Sequence, residues 1–520
     1  MQANLLDYFE GLMSQWRPVF TQDRVFQRVR CLMFGMMVSL RLHLTSQAIC
    51  ATGRQFRDWT SDYRVCSQSP WDARKLFDPV LDALPGLLHD PQAPVMVPLD
   101  DTLLLKTGTH IPGVTIARDP MSPPFHVNLR YGLRFVQASV LVYPRQGGAA
   151  RAIPVRFEYA PPAVKPKTRS RRRKAASAAA ENGPVGSASK AAAAVSKPAK
   201  APPTPDQIAY AEQKKLRRLT QVGLNTIIDV RKSLDARDGL RRRSLIVSGD
   251  ASYTTRVVLR GLPERTTYVG RIRKNAKLHW PVATAPATSG KRGRPRRYGT
   301  VAPTPEQLLQ DDTVAWSSLR CFVAGEMRDI PVKIMGPVYW RVSGVDLPLL
   351  LVVIKPAGYR SRKGGKLQYR RPAFLICTDP SLALETLVQA YLYRWEIECN
   401  HRDEKSLLGV GQGQVRNPEA VRRLPQLQVA GYSLALLASI LASGFERGQQ
   451  EYLPLPKWRR IVAGQRPSLL DILNLLRDQI FGRNLVSPVV NYEDFMKHAP
   501  DSVKSSKLPL APVTQCTLAA

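Results

Sequence analysis

Acid is what this chain is short of. Its 41 aspartates and glutamates stand against 76 lysines and arginines, a formal net charge of +35 over 520 residues. So large an excess of one sign repels itself unless a polyanion or an anionic membrane surface answers it. Paired cysteines are missing as well. The seven present are scattered without a CxxC spacing, so neither a disulfide framework nor a zinc knuckle is implied. Reduced thiols in a cytoplasm are expected. Long apolar runs are also absent: the longest, around Val429–Ala442, is too short to cross a bilayer. That leaves nucleic acid as the natural polyanion and no membrane as a partner. The opening MQANLLDYFE has no basic n-region and no apolar h-region, so no signal peptide is expected. Apolar content is ample. At 44% hydrophobic, the chain can bury a substantial core in two or three domains.

Where acids are few, their placement is informative. In VMVPLDDT, the apolar Val95, Met96, Val97 and Leu99 lead into Asp100, Asp101 and Thr102. In SLIVSGDASY, Leu245, Ile246 and Val247 lead through Ser248 and Gly249 to Asp250. Each reads as a buried strand with a carboxylate at its carboxyl end, where open α/β sheets place their ligands. One such aspartate alone is ordinarily a turn or a helix cap. A third acid stands in YLYRWEIECNHRDEKSLLG. There Tyr391, Arg394, Glu398 and Lys405 follow one another at gaps of two, three and six intervening residues. At about 100° per residue, all four fall on one face of a helix. Arg394 and Glu398, an i,i+4 pair, are equally readable as an exposed surface ion pair. Three carboxylates together are a different object, because they can chelate hard divalent ions.

In this order the motifs resemble the bacterial insertion-sequence DDE transposases that carry the YREK signature, especially the branch with a paired Asp-Asp-Thr at the first acidic site. Tyr391, Arg394, Glu398 and Lys405 match the tetrad, LDDTLLLKTGTHIPGV the first acidic position and GDASY the second. GKRGRPRRYG (290–299) and RPSLLDILNLLRDQIFG resemble further segments, so the likeness runs from about residue 20 to 485. The resemblance implies an α/β fold: a ribonuclease-H-like mixed sheet, a β-rich insertion before the catalytic Glu helix, and helical N-terminal and C-terminal regions. It implies Asp100, Asp250 and Glu398 as catalytic metal ligands for Mg²⁺, with Mn²⁺ able to substitute. Asp101 is the alternative to Asp100; strand alternation turns the two to opposite sides, and the family's Asp-x-Thr pattern favours Asp100. Tyr391, Arg394 and Lys405 are then contacts to terminal DNA phosphates. Arg292, Arg294 and Arg296 are further DNA contacts, in a stretch whose GRP resembles minor-groove hooks. The implied partners are double-stranded DNA, as terminal inverted repeats and as target, and a second copy when two ends are synapsed. The implied setting is a bacterial cytoplasm, at the nucleoid. His401 and Arg402 read as bystanders and His110 as structural.

The expected organisation follows the composition for its segments and the resemblance for their roles. Residues 1–90 are helical, as a DNA-binding domain or a cap on the next domain; 91–163 and 205–279 form the two parts of the catalytic domain. Between them, 164–204 is a basic insertion containing Arg171, Arg172, Arg173 and Lys174. It has too little apolar surface to fold and is expected to be disordered; its length and alanine richness depart from the family pattern. A β-rich insertion spans 280–385, the catalytic helix and the following helix 386–445, and a helical region with a tail 446–520. Two other functions fit the same sequence: a catalytically inactive, transposase-derived DNA-binding protein, and a Mg²⁺-dependent nuclease of the same fold.

Overall fold

The computed structural model describes residues 4–483 except 120–121, 123–124, 167–203, 283–296, 345–346, 361–363, 449–450, 460–463 and the single positions 41, 57, 89, 127 and 146. Nearly all of the basic insertion, the three arginines 292, 294 and 296, and the tail after 483 therefore lie outside the described residues.

Chain segments rich in β-branched and aromatic residues supply the strands of one large sheet. In chain order they are β1 (Val95–Leu105), β2 (Thr115–Arg118), β3 (Leu129–Val142), β4 (Arg151–Tyr159), β5 (Leu245–Gly249), β6 (Thr266–Arg271), β7 (Ser317–Val323), β8 (Glu326–Val338) and β9 (Leu349–Ile354). A small hairpin, β10 (Gly358–Arg360) with β11 (Leu367–Tyr369), precedes β12 (Ala373–Cys377). The strand order is β2-β3-β1-β5-β6-β12-β9-β8-β7, with β4 paired to β3. The β3–β4 connection is a hairpin, and Gly147 and Gly148 turn it at φ of +78° and +136°, where a Cβ would be strained. β1, β5 and β6 run parallel at the centre. The strands of 280–385 are not set apart from this sheet, because β7, β8, β9 and β12 extend it from the edge of β6.

One departure concerns the first acidic strand. β1 does not stop at its aspartates but continues to Leu105, because its antiparallel partner β3 runs on beside it from Ala138 to Gly132. What ends at Leu99 is the parallel ladder with β5, whose last rung is Leu99 to Gly249. The next residue along each chain segment is an aspartate, Asp100 still within β1 and Asp250 just after β5.

The helices cover the sheet. Leu5–Ser14, Asp23–Val38 and Leu469–Arg483 pack around a central helix, Pro418–Ser443, and their buried residues join the sheet in one continuous core. The N-terminal helices are thus a layer of the same body as the sheet. The central helix starts on Asn417, whose side chain accepts from the amides of Glu419 and Ala420, and it stops at Gly444, φ +75°. Helix formation extends the apolar run of 429–442 backwards. By length and composition the resulting helix could cross a membrane, but 94% of its most apolar window is buried inside the protein. Each buried Leu, Val or Ile there contributes roughly 1.5–3 kcal/mol, so the core explains its composition. The Leu469 helix starts on a reciprocal cap. Ser468 accepts from the amide of Asp471 at 3.2 Å, and Asp471 accepts from the amide of Ser468 at 2.8 Å.

Candidate active site

The helix expected to carry the whole YREK stripe is two helices. Leu384–Tyr393 ends where Trp395–Ser406 begins, and Arg394 is the joint. Two i→i+3 bonds tighten the chain there, from the Arg394 amide to Tyr391 and from the Ile397 amide to Arg394, both 3.1 Å. Tyr391 therefore sits on the first helix and packs on a second apolar cluster that runs along the sheet from Met96 and Ile246 to Leu319 and Leu375. Glu398 and Lys405 sit on the second, the site helix. Ile397, Asn400 and Glu404 form its buried face, anchored by Asn400, which donates to the Ala152 carbonyl at 3.1 Å and accepts from Tyr432 Oη at 2.9 Å.

This packing brings Glu398 to the end of the β1–β5 ladder. Arg394 Nη1 lies 3.2 Å from Asp100 and 3.7 Å from Glu398. The Asp100 side chain is 14% exposed and that of Glu398 41%. Burial, and then the Glu398 charge, raise Asp100 well above the ordinary carboxylate range, with Asp250 adding to the effect and Arg394 opposing it. Asp101 points the other way along the pleat. It accepts from Tyr253 Oη at 3.2 Å and pairs with Arg134 at 3.3 Å. Burial raises it too, against the pull of Arg134. Asp250 opens the turn after β5, accepting from the Ser252 amide at 2.8 Å and the Ser252 hydroxyl at 2.6 Å. Gly249 before it has a steric reason: a Cβ there would lie 2.3 Å from the buried Tyr268 hydroxyl.

The field of these groups reaches Lys405, whose ammonium is lowered by burial while Glu404 and Glu398 support it. His401 is buried and held neutral by burial, its pKa down at about 3, with Lys405 and Arg394 adding to the fall. His110 lies exposed in a turn. Arg134 and Tyr253, the partners of Asp101, are neighbours of the candidate site that sequence reasoning passed over. Tyr253 was visible inside GDASY, whereas Arg134 had no signal beyond being a cation on a β-strand.

The donor set, three carboxylates, has the chemistry of a hard divalent-ion site. Its spacing is looser than ligation requires: among the described residues no three His, Cys, Asp or Glu side chains are gathered closely enough to hold a metal ion. Arg394 is the cation now shared by Asp100 and Glu398.

The parallel pair of aspartate-bearing strands, the mixed sheet and the acid-bearing helix packed on it define a ribonuclease-H-like fold of the DDE type. The chain belongs to the DDE superfamily endonuclease family, whose model matches residues 17–326. The matched span contains Asp100 and Asp250 and ends before Glu398. No curated protein matches the chain.

Behind the site, Glu404 is only 1% exposed, and its Oε1 has no hydrogen-bond partner. Burial pushes its pKa up to about 8, with a hydrogen bond from Gln137 partly opposing. The neutral acid therefore stabilises the fold below about pH 4.5, and that contribution is lost as pH rises through about 8. Glu404→Gln keeps the shape and removes the titration. Between about pH 5 and 9 the unfolding free energy of the variant should fall by roughly 1–3 kcal/mol less than that of the wild type, the remaining slope belonging to other groups such as Asp100. Parallel curves would show that Glu404 does not titrate in this range.

Proposed function

We propose that this chain is a DNA transposase that cuts at the ends of an insertion element and joins them to target DNA by metal-dependent phosphoryl transfer. The supporting observation is the adjacency of Asp100 and Asp250 beyond the last β1–β5 rung, with Glu398 near enough to raise Asp100. On this reading Asp100, Asp250 and Glu398 hold Mg²⁺, for which Mn²⁺ substitutes. When bound, such ions neutralise charge on the transferring phosphoryl and activate a water or a 3′-hydroxyl.

The chain's own part is to bind and orient. Arg394 and Lys405 are charge-assisted donors for the phosphates beside the cut, and Tyr391 stands next to Arg394 as a neutral donor. Arg134 and Tyr253 hold Asp101 aside, leaving Asp100 as the first ligand. Double-stranded DNA, as terminal inverted repeats and as target, is the partner, and synapsis of two ends brings two copies together. A bacterial nucleoid is the setting that fits.

A second reading has an observation in its favour. Among the described residues no three acids are gathered to metal-binding distance as the side chains stand, which suits a DNA-binding protein of this fold without turnover. The test is Mg²⁺-dependent cleavage of DNA carrying the repeats that flank the gene. Cuts at the element ends are expected. Cuts without preference for those ends would make the protein a general nuclease. Binding without cutting, in Mg²⁺ and in Mn²⁺ on paired ends, would favour the DNA-binding reading.

A further inference from the structure

The site helix has a second polar face, and the phosphoryl-transfer chemistry makes no use of it. Relative to Trp395, residues 402 and 406 fall within about 20°, whereas 398 and 405 fall about 60–80° to one side. Trp395, Arg402 and Ser406 accordingly look into a groove of about 1300 Å³, walled by the β7–β8 turn at Phe322–Gly325 and by residues 464–470. Six arginines line it, among them Arg370, Arg394, Arg402 and Arg459, against two carboxylates, Glu396 and Asp403. Among the described residues of the lining the arginines outnumber the carboxylates by four; of these arginines, Arg394 also pairs with Asp100 and Glu398, and Arg459 lies 3.9 Å from Asp471. Both carboxylates are engaged: Glu396 by Arg466, and Asp403 by Arg402 at 2.9 Å. Arg402 still has 70% of its side chain exposed. At the mouth of the groove Trp395 is 65% exposed, a large apolar ring left in water beside Arg394. Tyr391 and Arg394 belong to this lining, so the groove begins where the proposed phosphate contacts end.

We propose that this groove binds an unpaired stretch of DNA strand, with Trp395 as the stacking platform for a base and Arg402 and Arg459 as phosphate donors. The inference rests on the reading of the chain as a DNA-processing protein. A cationic channel with an exposed indole matches the chemistry by which single strands are held, phosphates by the arginines and base faces by the ring. A duplex buries its base faces in its own stack, so the ring can be used only by a base taken out of it. An acidic peptide would satisfy the arginines and leave the indole without a role.

The experiment is fluorescence anisotropy of a labelled oligothymidylate and, separately, of a blunt duplex, in EDTA at fixed salt. The full chain is compared with Trp395→Ala, Trp395→Phe and the Arg402→Ala/Arg459→Ala double variant. Strand affinity should fall roughly tenfold in Trp395→Ala and recover largely in Trp395→Phe. It should fall in the double variant with a shallower salt dependence. Duplex affinity should barely move in Trp395→Ala. Equal strand binding by wild type and Trp395→Ala would overturn the groove while leaving the DNA reading standing, as would strand and duplex affinities falling together. Displacement of the oligonucleotide by polyglutamate at equal charge would also overturn it, in favour of an acidic peptide. A wild type that binds neither strand nor duplex would overturn the DNA reading itself.

Discussion

Asp100→Asn should abolish Mg²⁺-dependent cleavage, with a loss of about a thousandfold or more, while Asp101→Asn stays within about tenfold of wild type. Removing a carboxylate from a metal-assisted phosphoryl transfer costs several kcal/mol of transition-state stabilisation, and about 1.4 kcal/mol is a factor of ten. The two neighbours differ because the pleat turns them apart. Asp100 faces Arg394 and Glu398, and Asp250 follows directly on the last β5 residue, Gly249, the partner of Leu99. Asp101 is committed to Tyr253 Oη and Arg134, so its loss releases two donors and leaves the cluster at Glu398 in place. Single-turnover cleavage, with DNA binding measured in parallel, separates the cases. Asparagine at 100 should leave binding unchanged or tighter, since a negative charge facing the DNA is gone. Equal damage from both variants would make the two aspartates joint ligands, and full activity in Asp100→Asn would remove it from the site.

The sequence carried most of what positions these acids. The apolar runs before Asp100 and Asp250 are a period-free signal of buried strands, and they became the parallel pair β1 and β5. The β3–β4 hairpin and the Ser468 cap were legible because Gly-Gly turns and capping boxes act over a few residues. Three things were not legible, and each depends on distant parts of the chain. The continuation of β1 to Leu105 is imposed by β3, some thirty residues later. The break at Arg394 is a matter of two hydrogen bonds, and the spacing of Tyr391, Arg394, Glu398 and Lys405 reads as one uninterrupted helix. Whether the strands between 317 and 377 form their own sheet or extend the first depends on the edge that β6 offers to β12, which local composition does not encode. Arg134 as the partner of Asp101 belongs to the same class, since cross-strand register decides it.

Asp100→Asn should also stabilise the protein when no divalent ion is present, and should remove the stabilisation that Mg²⁺ gives. Asp100 is raised by burial first and by the Glu398 charge second. A carboxyl raised in the folded state contributes its stability below the unfolded value and loses it as pH climbs through the folded one. In EDTA, then, the wild type should weaken between about pH 4 and 8, and the variant, with no proton to lose at that position, should weaken less. At pH 8 the difference is expected to be about 1–3 kcal/mol, with loss of the Arg394 pair opposing a larger gain. Mg²⁺ acts in the opposite sense, because an ion bound only by the folded state stabilises it by about 2.7 kcal/mol at a hundred times its Kd. Wild type should gain that much in chemical denaturation and the variant little, so that the order of stability reverses on adding the ion. Such a crossing would mean that the repulsion among Asp100, Asp250 and Glu398 is the cost of a site made for a cation that Arg394 only partly replaces. Curves that keep their order in EDTA and in Mg²⁺ would count against metal binding at these residues, whatever the cleavage assay shows.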